Sequence, residues 1–442
     1  MDATSTSWAG HDGTPQDGTR PRRPGRPRSG RSRRSGVAAG AVVVAVALTV
    51  AACTSAPARA PGISPGAGAS TAVPAPRAGQ QDPATLPADA APTAPAASPA
   101  PAPRSDPSPT EPARAATNVP MRAVAPGEQP PQFVLFSFDG AGWHDRWHEF
   151  MTAADQVDAR FTGSLTGIYL LTDDHRDAYT GPGHAPGRAS VGFGGSPETV
   201  VQLVHDLNEA HARGHEIGTH YNGHFCSDNP PGGNQWTAAD WQAELDQFFT
   251  FLADWDTINQ IEGAPELVVT AQDVTGGRTP CLEGVWPDIS QAWAAHGMTY
   301  DSSKVSGGIA WPRVEDGVWQ FPIPTVQSPA FGTVLATDYN FWVKANGGVD
   351  DPGAAETMRA GTLDTYRHMY AVARDGNRAP VVVANHFNRW SGNAFNPAAR
   401  DFMLEVCDDE GTVCATYSDV VAWLELQDPA VLAELQARPP VS

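Results

Sequence analysis

From Phe133 onward, short apolar segments alternate with segments whose apolar residues recur with a period of about 3.6 residues. FVLFSFD at 133–139 and PVVVANHF at 380–387 have the length and the β-branched or aromatic content of buried strands. PETVVQLVHDLNEAHARG at 197–214 is typical of an amphipathic helix. Strands that alternate with helices form a parallel sheet covered by those helices, so we predict an α/β fold, an irregular (β/α) barrel. The other predicted strands are GIYLLT, EIGTHY, VTGGRT, MTYDSS, VWQFPIP and TVLATDYNFW.

The first 130 residues differ sharply from this pattern, because nearly all aromatic residues follow Phe133. Only the remainder can build a sizeable core, and it suffices for one large domain, predicted at 131–442. Residues 53–130 are mostly Ala, Pro, Ser, Thr and Gly. Such a segment buries too little apolar area to fold, so we expect a disordered Pro/Ala-rich tether.

Residues 1–52 have the pattern of an export signal. Eight arginines lie between Arg20 and Arg34, followed by an apolar run of 16 residues, which is short for a membrane span. The run ends in VAAC, which resembles a bacterial lipobox, in which the cysteine, here Cys53, is lipidated. We expect an exported protein anchored by lipid to the outer face of the bacterial cell membrane. If Cys53 is incidental, the protein is secreted.

The charge of the exported part argues against nucleic-acid binding. Residues 1–52 carry eight arginines and three aspartates, so the rest of the chain has a net charge of −25, against −20 for the whole. Phosphate would be repelled by such a surface.

Four cysteines follow Cys53, an even number that suggests two disulfides outside the cytoplasm. Cys407 and Cys414 flank a short segment that a local disulfide would close, which would leave Cys226 to pair with Cys281. Three connectivities remain open from the sequence alone.

Several polar residues stand just past the ends of separate predicted strands. A barrel brings the carboxyl ends of its strands to one mouth, where its chemistry occurs, so we expect these residues to meet. Two are histidines four positions apart, and neutral imidazole is a good zinc ligand, although surface loop histidines would show the same spacing. The residues are Asp139, His220, His224, Arg278 and His386.

The order of these motifs resembles that of the NodB-homology polysaccharide deacetylases. That family has a TFDD motif, a histidine pair H-[ST]-x-x-H, an RxPY motif, an Asp/Trp motif and a late LxH. The resemblance covers the chain from about Phe133 onward. The corresponding segments here are SFDG (137–140), HYNGH (220–224), RTPC (278–281), DYNFW (338–342) and ANH (384–386).

The resemblance implies a metal-dependent hydrolase that removes N-acetyl groups from a cell-wall or surface polysaccharide. Asp139 would be the general base, His386 the general acid and Arg278 the residue that holds the base. His220 and His224 would bind a divalent metal, with zinc as the first choice.

Further residues would contact the polysaccharide substrate. We expect the protein to be a monomer. The resemblance implies that the backbone N–H of Cys281 stabilises the oxyanion and that Asp338 and Trp342 lie in the substrate site. Trp143, Trp342 and Trp390 are candidates for stacking on sugar rings.

Gly140 is the main departure from the family pattern, because it replaces the acid that normally supplies the third metal ligand. Two versions of the site stay open. Either Asp139 remains the base and water, His144 or Asp145 completes the metal shell, or Asp139 itself binds the metal.

The missing acid also keeps a second class of function open, a non-catalytic polysaccharide-binding surface lipoprotein on the same fold. A glycoside hydrolase would need two carboxylates about 5 to 9.5 Å apart, whereas the strand ends here supply histidines.

Overall fold

The computed structural model of the chain describes residues 114–442. The strands in this range are β1 (Gln132–Asp139), β2 (Phe161–Leu165), β3 (Glu216–Thr219), β4 (Gly276–Gly277), β5 (Tyr300–Asp301), β6 (Val305–Ser306), β7 (Arg313–Glu315), β8 (Val318–Gln320), β9 (Ile323–Ser328), β10 (Gly332–Leu335), β11 (Val381–His386) and β12 (Thr412–Cys414). The α-helices are α1 (His144–Gln156), α2 (Pro197–Ala212), α3 (Ala238–Ile258), α4 (Trp286–Ala295), α5 (Asp338–Asn346), α6 (Ala355–Asp375), α7 (Trp390–Asn393), α8 (Phe395–Val406), α9 (Tyr417–Glu425) and α10 (Pro429–Ala437).

Eight strands form a curled half-barrel in the order β11-β1-β2-β3-β4-β5-β8-β7. Neighbours are parallel throughout, except that β7 and β8 are antiparallel. A ninth strand, β12, pairs with the start of β1, and β10, β9 and β6 form a separate sheet. The predicted α/β fold of the barrel type is therefore confirmed, with the sheet present as a half-barrel.

Strand β1 positions the candidate site. All eight of its residues are buried, as a continuous apolar run in a parallel sheet requires. Its Phe138 ring packs against Phe150 and Phe387, with ring centroids 4.1 and 5.0 Å away. In the parallel register with β11, Asp139 lies opposite His386, so the two side chains reach the same edge of the sheet.

The predicted strand GIYLLT is wrong, because Gly167–Leu170 forms a 3₁₀ turn. The second strand is instead β2, the segment FTGSL immediately before it. Small residues hid this strand from the sequence pattern. They are needed there, because a Cβ added to Gly163 would lie 2.3 Å from the Trp147 ring.

The predicted strand TVLATDYNFW is correct only in its first part. β10 ends at Leu335, and DYNFW begins helix α5. Thr337 caps this helix, since its side chain accepts a hydrogen bond from the backbone N–H of Asn340. The cap turns the chain so that Asp338 stands at the first position of the helix.

The segment 114–130, which the sequence analysis includes in the tether, lies against the domain. Val119 and Val124 are buried, and the Asn118 side chain donates to the Cys414 carbonyl over 2.9 Å. The two buried valines supply apolar contacts between this segment and the domain. The rest of the predicted tether, the signal segment and Cys53 lie outside the described residues and stay predictions.

The structure pairs Cys226 with Cys281 and Cys407 with Cys414, the connectivity that the sequence favours. Along residues 114–442, no helix has both the length and the apolar character needed to cross a bilayer.

Candidate active site

The Asp139 carboxylate is paired with a buried guanidinium at the end of β1. Arg278 Nη1 donates to both carboxylate oxygens, over 2.9 and 3.0 Å, and the two side chains are 7% exposed or less. Burial opposes ionisation of Asp139, but Arg278 above all, with smaller contributions from His220 and His386, outweighs burial and lowers the pKa of Asp139 to about 2. Asp139 is therefore a carboxylate at neutral pH.

Arg278 is itself held by hydrogen bonds from three parts of the chain. Its Nε donates to the carbonyl of Ser302 over 2.9 Å. Its Nη2 donates to the hydroxyls of Ser137, Ser302 and Tyr417 over 3.0 to 3.1 Å. With every nitrogen bonded, the guanidinium has a single orientation, which fixes Asp139 in turn.

His386 has a carboxylate partner of its own. His386 Nδ1 donates to Asp338 Oδ1 over 2.7 Å, and the His386 backbone N–H donates to Asp338 Oδ2 over 2.8 Å. Burial lowers the pKa of His386, but Asp338 and then Asp139 outweigh it, so that the pKa is raised above its usual value. This arrangement leaves Nε2 as the ring nitrogen that can exchange a proton with a ligand.

His220 and His224 lie side by side in the loop after β3, with ring centroids 5.2 Å apart. His220 Nδ1 donates to the Arg278 carbonyl over 2.9 Å, which leaves Nε2 as its ligand atom. Burial lowers the pKa of both histidines. At His224 the neighbouring His220 and His386 add to the effect of burial, and the pKa of His224 falls to about 3. Both rings are therefore neutral, the form that binds metals.

A buried carboxyl supports this loop from behind. Asn222, between the two histidines, donates from Nδ2 to the backbone carbonyl and to the side chain of Glu244 over 2.6 and 2.8 Å. Glu244 also accepts a hydrogen bond from the Tyr179 hydroxyl. These bonds hold the histidine loop against helix α3.

The Cys226–Cys281 disulfide joins the histidine loop to the loop that follows Arg278. Cys281 and His224 both have a positive φ, 57° and 53°, a strained conformation for residues other than glycine. The sulfur atoms of Cys226 and Cys281 lie near His224, but they are bonded to each other and are not available as metal ligands.

The donor set at the site fits a divalent metal only in part. Two neutral imidazoles suit zinc, cobalt or nickel. Within residues 114–442, however, Asp139, His220 and His224 do not form a group whose ligand atoms all lie within 4.8 Å of one another. The carboxylate of Asp139 faces Arg278, so the geometry favours the histidine pair as ligands and Asp139 as base.

Gly140 has no side chain to supply a ligand, and the two predicted substitutes are paired with other side chains. Its φ is +63°, and an added Cβ would lie 3.4 Å from the Tyr169 hydroxyl. His144 Nδ1 is 2.7 Å from an Asp206 carboxylate oxygen, and Asp145 pairs with Arg146.

Two of the predicted tryptophans form a stack beside His386. The rings of Trp342 and Trp390 are 5.0 Å apart and nearly parallel, and Trp390 lies 5.0 Å from the His386 ring. Trp143 is exposed just before α1 and makes no ring contact with this stack within the described residues.

A scan against protein-family models finds no match, and a search of curated proteins finds none either. The structural neighbours are CE4 family polysaccharide deacetylases. A Mycobacterium smegmatis protein described as a polysaccharide deacetylase is 14% identical, with 73% of this chain and 98% of that chain covered and a TM-score of 0.41. A family 4 carbohydrate esterase from Streptomyces lividans is 13% identical, with 64% and 98% covered and a TM-score of 0.33. These values assign no role to a residue of this chain.

The sequence missed the residues that hold the site together. Glu244 and Tyr417 belong to no motif, because each contacts the site from a distant part of the chain. Glu244 bonds Asn222, 22 residues away, and Tyr417 bonds Arg278, 139 residues away. Ser302 lies at the end of the predicted strand MTYDSS, and this strand-end position could have indicated it.

Proposed function

We propose that this protein is a metal-dependent deacetylase that hydrolyses the amide bond of N-acetyl sugars in a polysaccharide. The observation that supports this most directly is the pairing of Asp139 with His386 across adjacent strands. One group is held ionised by Arg278, and the other is held as a proton donor by Asp338. Two groups whose environments push their pKa values apart are the arrangement that acid–base catalysis requires.

In this proposal Asp139 takes a proton from the attacking water while Arg278 keeps the carboxylate oriented. His386 gives a proton from Nε2 to the departing amine, and Asp338 holds its Nδ1. We assign the Cys281 backbone N–H to the developing oxyanion, where one such donor is typically worth about 3 kcal/mol. A divalent metal bound by His220 and His224 supplies Lewis acidity to the acetyl carbonyl and to water.

The aromatic stack gives a surface on which sugar rings can pack. Trp342 and Trp390 present parallel faces next to His386, and Tyr339, which is 48% exposed, meets Trp390 edge-on with ring centroids 5.7 Å apart. Aromatic faces bury the apolar faces of sugars while leaving the hydroxyls to polar groups.

The test is amine release from N-acetylated chito-oligosaccharides and peptidoglycan fragments by the purified protein, with added Zn²⁺ or Co²⁺. Asp139→Asn and His386→Ala should each lose at least 100-fold in activity. The variant Asp174→Asn makes the same change of charge as Asp139→Asn at an exposed position, and it should retain full activity. Release of amine that is equal in all four proteins would contradict the assignment of the base and the acid.

A second function is a non-catalytic polysaccharide-binding protein on the same fold. The observation that favours it is the incomplete metal site, with Gly140 in place of an acid and Asp139 turned to Arg278. Glycan binding without amine release, at saturating metal, would establish this function instead.

The proposal also includes export and lipid anchoring at Cys53. Cys53→Ala should move the protein from the membrane fraction to the medium, whereas an unchanged distribution would contradict the anchor.

A further inference from the structure

A second group of metal-binding side chains lies on the outer helices, apart from the residues around Asp139. His144 is the first residue of helix α1, and His148 follows one turn later on the same face. Their rings are 4.5 Å apart. Helix α2 supplies Asp206 opposite them. One ligand atom from each of the three side chains lies within 4.8 Å of the other two.

Asp206 is the unusual member of this group. Its side chain is only 1% exposed, on a helix that otherwise buries apolar residues against the domain. Oδ1 is 2.7 Å from His144 Nδ1 and 3.3 Å from Gln202 Nε2. Oδ2 is buried and has no hydrogen-bond partner among the described residues. A buried carboxylate oxygen without a partner is costly, and a bound cation would satisfy it.

The half-exposed histidines make the group accessible from solvent. Their side chains are 50% and 48% exposed, and a shallow cavity lined by Gly142, Thr199 and Leu203 opens next to His144 and Asp206. A cation can reach the ligand atoms without opening the core. Two imidazole nitrogens and one carboxylate oxygen form a set that selects zinc, copper, nickel or cobalt over calcium and magnesium, which prefer oxygen ligands.

A second carboxylate, which is paired with Arg213 through its other oxygen, lies at the rim of the group. Glu209, one turn after Asp206 on α2, has an oxygen 3.9 Å from His148 Nε2. This group includes none of the residues of the candidate active site, Asp139, His220, His224 and His386.

We propose that His144, His148 and Asp206 form a surface site for a transition-metal ion that links helices α1 and α2. The ion would take the place of the hydrogen bond between His144 and Asp206 and would bind the otherwise unpaired Oδ2. Water would fill the remaining positions, because the rings face solvent. The site does not depend on the proposed deacetylase activity.

The test measures Co²⁺ and Zn²⁺ binding to the metal-free protein by equilibrium dialysis, together with the metal-induced shift in Tm. We compare the unchanged protein with His148→Ala, with Asp206→Asn and with His205→Ala, a control that removes an exposed histidine from α2. We expect the first two variants to lose one equivalent of bound metal, or at least tenfold in affinity, and most of the Tm shift. The control should lose neither.

A second pair of variants separates this site from the candidate active site. His220→Gln and His224→Gln should leave the equivalent assigned to His148 in place, as seen from the d–d absorption of Co²⁺. Metal binding that is unchanged in both His148→Ala and Asp206→Asn would overturn the proposal. Loss of all binding in the His220 and His224 variants alone would overturn it as well. Asp206→Asn preserves the side-chain volume, and the far-UV circular dichroism spectrum shows whether each variant has folded.

Discussion

Glu244 provides a sharp test of how the histidine loop is held. Its side chain is fully buried, and it accepts hydrogen bonds from Tyr179 and Asn222. Burial raises the pKa of Glu244 to about 7, although the hydrogen bonds from Tyr179 and Asn222 oppose the rise. Glu244→Gln keeps the shape and one acceptor oxygen, and it removes the ionisation.

The size of the effect follows from linkage between protonation and folding. A glutamate in the unfolded chain has its ordinary pKa of 4.5, whereas the folded chain raises the pKa of Glu244 to about 7. Because the folded state holds the proton more tightly, the stabilisation is complete below pH 4.5 and is lost as the pH rises through 7. At about 1.4 kcal/mol per pKa unit, this amounts to roughly 3 kcal/mol, of which about 2 to 3 kcal/mol is lost between about pH 5 and 8.

The assay is urea unfolding of the wild-type protein and Glu244→Gln at several pH values between about 5 and 8, with the exposed Glu262→Gln as control. The free energy of unfolding of the wild type, minus that of Glu244→Gln, should fall by about 2 to 3 kcal/mol across this range. The corresponding difference for Glu262→Gln should stay constant. A difference for Glu244 that is flat, or that rises with pH, would refute the reasoning.

Three further predictions concern the candidate site. Asp338→Asn should lower the pKa of His386, because the Asp338 carboxylate raises it. The alkaline limb of the pH profile of kcat for amine release should therefore move to lower pH, and a limb that does not move would contradict this. Gly140→Asp should increase Zn²⁺ affinity by calorimetry relative to Gly140→Ala, which shares the strain of a φ of +63° but adds no ligand. Replacing Cys226 and Cys281 by serine opens a loop with a sequence separation of 55 and should cost about 4 kcal/mol in urea unfolding. A cost below about 1 kcal/mol would show that other contacts already hold the two loops together.

The sheet and the meeting of the strand-end residues could be predicted because they follow from local pattern and from one topological rule. Asp139 and His386 end two strands that are predominantly apolar, and parallel neighbours bring such ends together. β2 could not be predicted in the same way, because its pattern is set by close packing of Gly163 on Trp147. Asp338 is helical because Thr337 caps the helix that begins there. The sequence did not show this cap clearly, because residues typical of strands come immediately before Thr337.

The supporting contacts could not be predicted, because they join segments far apart in the chain. Tyr417 and Arg278 are separated by 139 residues, and Asp206 and His144 by 62. No period or motif connects such pairs, since their contact depends on how helices pack over the finished sheet. The metal-ligand spacing of His144 and His148 is visible in the sequence, but only the structure places a buried carboxylate opposite them.

Arg278 links the two halves of the candidate site, Asp139 and the histidine pair. This link determines how strongly the absence of an acid at Gly140 affects metal binding. The Arg278 side chain holds Asp139, while its backbone carbonyl holds Nδ1 of His220. The guanidinium partly neutralises Asp139, so this carboxylate is a poor replacement for a metal-binding acid at position 140. In the proposed mechanism both proton-transfer groups, Asp139 and His386, are present, whereas we expect the metal affinity of this chain to be weak. Arg278→Lys would separate the two halves, because it weakens the hold on the base and keeps the carbonyl that orients His220.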